Sequence, residues 1–144
     1  MKSVLDNKIL IITLAVWIIA QGLKVTLGII RGKKFNFKWL IGTGGMPSSH
    51  AAGASALAAT CGLYMGFDSA HFALGVVFAL VTMFDAQGVR RSSGQQAVIL
   101  NQMLDEGKIE ATRLMEFFGH TPLQVIIGSI LGILLAYIFY GLWI

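Results

Sequence analysis

The chain has 144 residues, of which 56% are hydrophobic and 12% are charged, with a formal net charge of +4. A soluble globular protein carries about 25% charged residues, so this chain has too few to cover a water-facing surface. The same apolar bias excludes intrinsic disorder, and the single cysteine, Cys61, excludes a disulfide scaffold or a thiolate metal cluster. The composition predicts a small membrane protein with one domain over residues 1–144.

Four uncharged or nearly uncharged stretches are candidate membrane spans: residues 9–30, 51–67, 71–84 and 121–144. In the first stretch only Lys24 interrupts the apolar run. The length of this stretch is close to the ~20 residues that cross a bilayer as a helix. It is long for a signal peptide and lacks a convincing cleavage site, so we expect a retained span. The second is made largely of Ala, Gly, Ser and Thr, which favours a helix packed among other helices. Asp68 and Ser69 leave only a short turn before the third.

Residues 89–118 mix apolar and charged side chains. This pattern predicts one or two amphipathic helices at the membrane surface, broken near Gly107. The predicted fold is therefore an all-α, polytopic membrane bundle of about four spans, with surface amphipathic helices between the third and the last span.

The basic residues are unevenly distributed between the two predicted sides of the membrane. Eight Lys and Arg residues lie in the connections after spans one and three, against two before span one. By the positive-inside tendency the richer side is cytoplasmic, in a cell inner or plasma membrane, and the N-terminus is outside. Anionic headgroups explain these charges, so nucleic acid is not an expected partner.

Four polar clusters fall on this basic side, and the first two contain a buried cation and a capped helix start. Lys24 lies well inside an apolar run, where an ionisable group is costly and usually functional, and Arg31 follows two turns later on nearly the same face. In the second cluster, Ser48 or Ser49 can cap the small-residue helix, whose first N–H groups form an anion site. His50 in the first turn is then a candidate proton donor, and the alternative is an ordinary interfacial histidine.

The other two clusters surround Arg90 with Arg91, and His120 with Glu116. Adjacent guanidinium groups suit the oxygens of a phosphate, although positive-inside charge or pairing with Asp85 explains them equally well. His120 precedes the last span and is either a capping residue or a nucleophile. Together the clusters supply an anion cradle, a nucleophile and an acid, which are the roles that phosphoryl transfer through a phosphohistidine needs without a metal or another cofactor.

These residues resemble the type 2 phosphatidic acid phosphatase superfamily, and more closely its small divergent branch related to acid phosphatases and vanadium haloperoxidases. The superfamily pattern runs K-x6-R-P, P-S-G-H and S-R-x5-H-x3-D. Lys24 through Arg31 is similar to the first motif, 47–50 to the second, and His120 to the histidine of the third. The strings Gly-Gly-Met-Pro-Ser-Ser-His, Gly-Val-Arg-Arg and Gly-His-Thr-Pro extend the resemblance over nearly the whole chain.

The chain departs from this pattern at four positions. Gly32 replaces the proline of the first motif and Ser49 the glycine of the second. Arg113 lies one residue away from the arginine position of the third motif, so Arg90 or Arg91 is a candidate for that guanidinium. Gln124 replaces the aspartate that orients and activates the nucleophile, and Asp85 or Glu116 is a candidate to substitute for it.

The resemblance implies a membrane phosphatase that acts on a lipid phosphate monoester or pyrophosphate. His120 would attack phosphorus, His50 would protonate the leaving alkoxide, and Lys24, Arg31, Ser48, Ser49, Arg90 and Arg91 would hold the oxygens. A second hypothesis is a binding or transport module that keeps the anion pocket without turnover. A third is a helical scaffold that packs on a partner helix through Gly128 and Gly132. The need for a homodimer to enclose the pocket is left open.

Overall fold

In the computed structural model the described residues are 3–30, 45–114 and 119–143. A short 3-10 helix at Val4–Asp6 precedes five α-helices, and these described ranges contain no strand. The α-helices are α1 (Lys8–Ile30), α2 (Ser49–Met65), α3 (Ala70–Gln87), α4 (Val89–Asp105) and α5 (Pro122–Leu142). The candidate site residues Arg31 and Glu116 lie outside the described residues.

The helical membrane bundle predicted from the sequence is confirmed. Three helical stretches of the described chain are long and apolar enough to cross a membrane: Lys8–Ile30, Ala70–Asp105 and Pro122–Leu142. The second of these contains α3 and α4 together. The remaining helix, α2, has 17 residues and was predicted as a further span; most of its side chains are buried, because α1, α3 and α5 pack around it.

Small residues allow the backbones around α2 to approach closely. A Cβ atom at Gly75 of α3 would lie 2.9 Å from the Cα of Ala58, and one at Gly132 of α5 would lie 2.8 Å from the carbonyl carbon of Ala52. Both neighbours are backbone atoms, so a larger side chain cannot be accommodated by a rotamer change. The Ala- and Gly-rich composition of α2 is thus explained by its central position.

Gly128 and Gly132 were considered as a docking surface for a partner helix, and the structure corrects that interpretation. Both glycines are buried and face α2 of the same chain, where a Cβ at Gly128 would overlap Ser48. The motif therefore joins two helices of one bundle.

The helix ends show how the bundle is oriented. The ammonium of Lys8, at the start of α1, donates a hydrogen bond of 3.1 Å to the carbonyl of Trp143, after α5. At the same end the rings of Tyr64 and Tyr140 meet edge to face with centroids 4.8 Å apart. The start of α2, the end of α3 and the start of α5 consequently meet at the opposite end.

The chain leaves the bundle at Gly88 and forms α4, which is amphipathic as predicted. The amide of Asn101 pairs with Leu114 in both directions, donating to its carbonyl at 2.9 Å and accepting from its N–H at 2.8 Å. Arg113 makes two hydrogen bonds to the carboxylate of Asp105. The predicted break is confirmed at Gly107, which has a φ of +69°, and residues 109–114 run back along α4 without helical structure.

Candidate functional site

His120 lies where the end of α3, the start of α4 and the start of α5 meet. Its backbone N–H donates to the carbonyl of Ala86 at 3.0 Å, and its side chain is only 3% exposed. The preceding residue, Gly119, has a φ of +90° and packs directly on the backbone of Arg90 and Arg91. Only glycine fits this combination of left-handed backbone and close approach, so the loop that carries His120 is fixed by backbone contacts.

Gln124 fixes the tautomer of the His120 ring. Its Oε1 accepts the backbone N–H of Thr121 at 3.0 Å and lies 3.3 Å from Nδ1 of His120. Because the Thr121 N–H can pair only with an oxygen, the amide orientation is determined, and the hydrogen bond to the ring then requires a proton on Nδ1. Nε2 therefore carries the lone pair. It is buried and makes no hydrogen bond of ordinary geometry with the described residues, although the Gly45 backbone lies within weak hydrogen-bonding reach of the ring.

The surroundings of His120 favour its neutral form. Burial lowers the pKa of His120 from the ordinary value of 6.5, and the charges of His50 and Lys24 act in the same direction. The hydrogen bond that Nδ1 of His120 donates to Gln124 and a hydrogen bond with the Gly45 backbone oppose this without reversing it. A neutral imidazole with a free Nε2 is the form that can act as a nucleophile.

The start of α2 is held against α5 by Ser48. Its hydroxyl caps the helix by accepting the N–H of Ala51 at 3.3 Å, and its own N–H donates to the carbonyl of Gln124 at 3.2 Å. Ser48 and Ser49 are 0% and 2% exposed. Ser48 is thus occupied as the predicted helix cap. His50 follows in the first turn and is only half-buried.

Lys24 approaches the same end of the bundle from α1. Its side chain is buried, and its aliphatic carbons would lie 3.2 Å and 3.4 Å from a Cβ at Gly45, which has a φ of +96°. The charge of Lys24 acts on both His50 and His120. Lys24 therefore lies within electrostatic reach of both histidines, and its functional role stays a prediction.

The two adjacent arginines differ in their surroundings. Nε of Arg90 donates to the carboxylate of Asp85 across the Gly88 break, and both charges lie within electrostatic reach of His50. Arg91 is exposed, and Arg113 pairs with Asp105 beyond the other end of α4. Asp85 was a candidate to orient His120, but it lies with His50 and Arg90 instead.

The structure therefore brings together Lys24, Ser48, Ser49, His50, Asp85, Arg90 and His120, and leaves Arg91 at the surface. Three residues at the site were not singled out by sequence reasoning: Gly45, Ala86 and Gly119. The Gly-His and Gly-Gly strings signalled the glycines, and Gln124 was expected to be able to hydrogen-bond an imidazole without supplying the charge of an aspartate. No cluster of three or more His, Cys, Asp or Glu residues suited to a metal ion occurs in residues 3–30, 45–114 and 119–143.

Comparisons with known proteins agree on one family. The profile described as the divergent PAP2 family matches residues 5–135 of this chain. The chain is also 38% identical to the uncharacterized membrane protein YuiD of Bacillus subtilis (strain 168), over 92% of its own length and 94% of that protein. No solved structure matches it significantly.

Proposed function

The chain belongs to the divergent PAP2 family, and on that premise we propose that it is a metal-independent phosphatase of lipid phosphates. The substrate is a phosphate monoester or pyrophosphate at the end of a lipid, taken from the membrane face that we propose to be cytoplasmic. The observation that carries this proposal is the buried, unpartnered Nε2 of a neutral His120 beside a second histidine.

The first half-reaction uses the lone pair on Nε2 of His120. It forms a P–N bond while the bond from phosphorus to the ester oxygen breaks, and the electron pair of that bond leaves with the lipid alkoxide. His50 in its protonated form donates its proton to that oxygen. The product alcohol leaves, and a phosphohistidine remains.

The second half-reaction consumes one water. His50, now neutral, removes a proton from the water as its oxygen attacks phosphorus, and the P–N bond breaks with its electron pair returning to Nε2. Inorganic phosphate leaves and both histidines regain their starting protonation states. Gln124 holds Nδ1 throughout, although its neutral oxygen stabilises a developing positive charge on the ring less than a carboxylate would.

Cationic and backbone groups would hold the phosphate oxygens. Lys24 and Arg90 supply positive charge on the His50 side of the cluster, and Arg31 is expected to join them from the sequence motif. The N–H groups of Ser49 and His50 lie in the first turn of α2, whose N-terminus favours an anion. In this arrangement the Ser48 hydroxyl acts as the helix cap and supports the cradle indirectly.

The test measures phosphate release from lipid phosphates in mixed micelles, with EDTA present throughout. A panel of phosphatidic acid, phosphatidylglycerophosphate and a polyprenyl pyrophosphate is compared for wild type, His120→Asn and His50→Asn. His71→Asn is the matched control, because His71 is exposed at the start of α3, at the opposite end of the bundle. We expect release to be lost in the first two variants and kept in the control. Release that persists in His120→Asn contradicts the proposal.

The neutral oxygen of Gln124 favours a second candidate, a phosphate-binding or transport module that does not turn over. This alternative predicts saturable binding of a lipid phosphate by wild type and by His120→Asn, with no release from any member of the panel. It also predicts that Arg90→Ala weakens the binding. A ³²P-labelled, acid-labile phosphoprotein in wild type would rule it out, since only the covalent mechanism forms one.

A further inference from the structure

The length of α3 limits where α4 can lie relative to the bilayer. With 18 residues and a rise of 1.5 Å per residue, α3 spans about 27 Å, which nearly fills a hydrocarbon layer of about 30 Å. The stretch of 36 residues that includes α4 would span about 54 Å if it were straight. The backbone instead leaves helical geometry at Gly88 (φ −90°, ψ −89°), so α4 starts where α3 has already reached the membrane surface.

We propose that α4 lies along the bilayer and inserts one apolar face into its interfacial layer. The residues of this face are Val89, Ile99, Leu100 and Met103, which fall within about 100° of one another around a helix of 3.6 residues per turn. The exposed Ser92 and Gln96 lie in the same arc, so the apolar side chains are concentrated in the C-terminal half of α4. Val89 is 68% exposed and Ile99 is 58% exposed. These four residues form the α4 apolar face.

The other sides of α4 are accounted for by contacts within the chain or by polar residues, with the exception of Val98, which is 36% exposed. Gly94, Ala97 and Asn101 are buried, and Asn101 holds the returning segment through Leu114. Gln95 and Gln102 are exposed on a third side. The α4 apolar face is therefore distinct from the side that packs on the protein and from the side suited to water.

The exposed apolar residues at the end of α3 indicate that the α4 apolar face contacts the bilayer. Among the described helices α4 packs mainly against α3. The lipid-facing side of α3 ends in Val81 and Phe84, which are 62% and 71% exposed. Val89, the first residue after the Gly88 break, has a similar exposure. Exposed apolar side chains thus occur on both sides of the break, at the end of α3 and at the start of α4.

Electrostatic attraction to lipid headgroups contributes little to the attachment of α4 to the membrane. Residues 89–114 contain four basic and three acidic side chains, a net charge of +1. Burial of apolar surface is therefore the force that holds α4 down. We expect the contact to persist in zwitterionic lipid and at high salt, unlike that of a polybasic segment.

The experiment reads the depth of each side of α4 by spin labelling in bilayers of phosphatidylcholine. Single cysteines are introduced in a Cys61→Ser background as Ile99→Cys, Met103→Cys, Gln95→Cys and Gln102→Cys, and each is labelled with a nitroxide. Collision rates with oxygen, which concentrates in lipid, and with a water-soluble nickel chelate are then compared. The Gln positions are the matched controls, because they lie on the same helix and are equally accessible to the label.

The proposal predicts an oxygen-to-nickel collision ratio several-fold higher at positions 99 and 103 than at 95 and 102, unchanged by 0.5 M salt or by added anionic lipid. Equal ratios on both sides overturn it, because equally low ratios place α4 in water and equally high ratios place it wholly in lipid. Low collision rates with both reagents at 99 and 103 also overturn it, because protein then covers that face. In that case, broadening of the spectrum by a nitroxide on another molecule shows that a second copy of the chain covers this face. None of these readouts depends on phosphatase activity.

Discussion

Gly119 offers the sharpest test of how the His120 loop is held, because a side chain there meets two separate obstacles. Its φ of +90° disfavours any residue with a Cβ by about 1–2 kcal/mol. The added Cβ would lie 2.5 Å from the Cα of Arg91, so the two backbones must separate by about 0.9 Å to reach ordinary contact. Overpacking of that kind costs about 1–3 kcal/mol. Gly119→Ala should therefore destabilise the protein by about 2–5 kcal/mol.

The chain provides controls that separate the two costs. Gly107 also has a positive φ of +69°, but no described atom lies within 4 Å of a Cβ at that position, so Gly107→Ala should cost only about 1–2 kcal/mol. Gly22 lies in α1 with neither obstacle, and Gly22→Ala should be neutral or stabilising. Thermal unfolding in one detergent, followed by circular dichroism, gives the order of the three variants. If Gly119→Ala unfolds no earlier than Gly107→Ala, the loop does not rest on the Arg91 backbone.

Three further predictions concern the site and its support. Because burial lowers the pKa of His120 below 6.5, the acid limb of phosphate release should lie below pH 6.5, and release should also fall at higher pH as His50 loses the proton that it donates; an acid limb above 6.5 in the pH profile of kcat would contradict this. Gln124→Met removes the acceptor at similar size and should lower kcat by about 10–10⁴-fold through loss of the tautomer. Gln124→Glu should keep activity and move the acid limb to higher pH, since a carboxylate raises the pKa of a neighbouring imidazole. Gly132→Ala should lower the thermal midpoint far more than Gly141→Ala, whose added Cβ meets nothing described within 4 Å.

The helices were predictable from the sequence because their signals are local. Uncharged runs, the short turn at Asp68 and Ser69 and the break at Gly107 each depend on neighbouring residues, and each lies where it was expected. The approach of Lys24 to the histidines was also predictable in outline, since an internal lysine requires a polar environment. The convergence of the clusters at one end follows from the antiparallel order of the helices.

The details of the site depend on contacts between distant parts of the chain and could not be predicted. Arg90 and Arg91 are adjacent in sequence, and the position of the Gly88 break decides which one reaches Asp85. Gln124 was interpreted as the loss of a charge with the ability to hydrogen-bond an imidazole retained. Which ring nitrogen it contacts, and with which amide atom, depends on the positions of Thr121 and His120 beside it. The same holds for Gly128 and Gly132. Two glycines four residues apart predict close packing against a helix, but they do not specify which helix.

The contact of Gly128 with Ser48 has a mechanical consequence for recognition. His50 follows Ser48 on α2 and His120 precedes α5, so the spacing between the two rings is set where two main chains touch. Two main chains in contact cannot shift relative to each other by a change of rotamer, as packed side chains can. The distance between the two histidines is therefore fixed before a ligand binds, and a ligand must fit that distance. Selection among phosphorylated lipids would then depend on the size of the group next to phosphorus, with little contribution from closure around it.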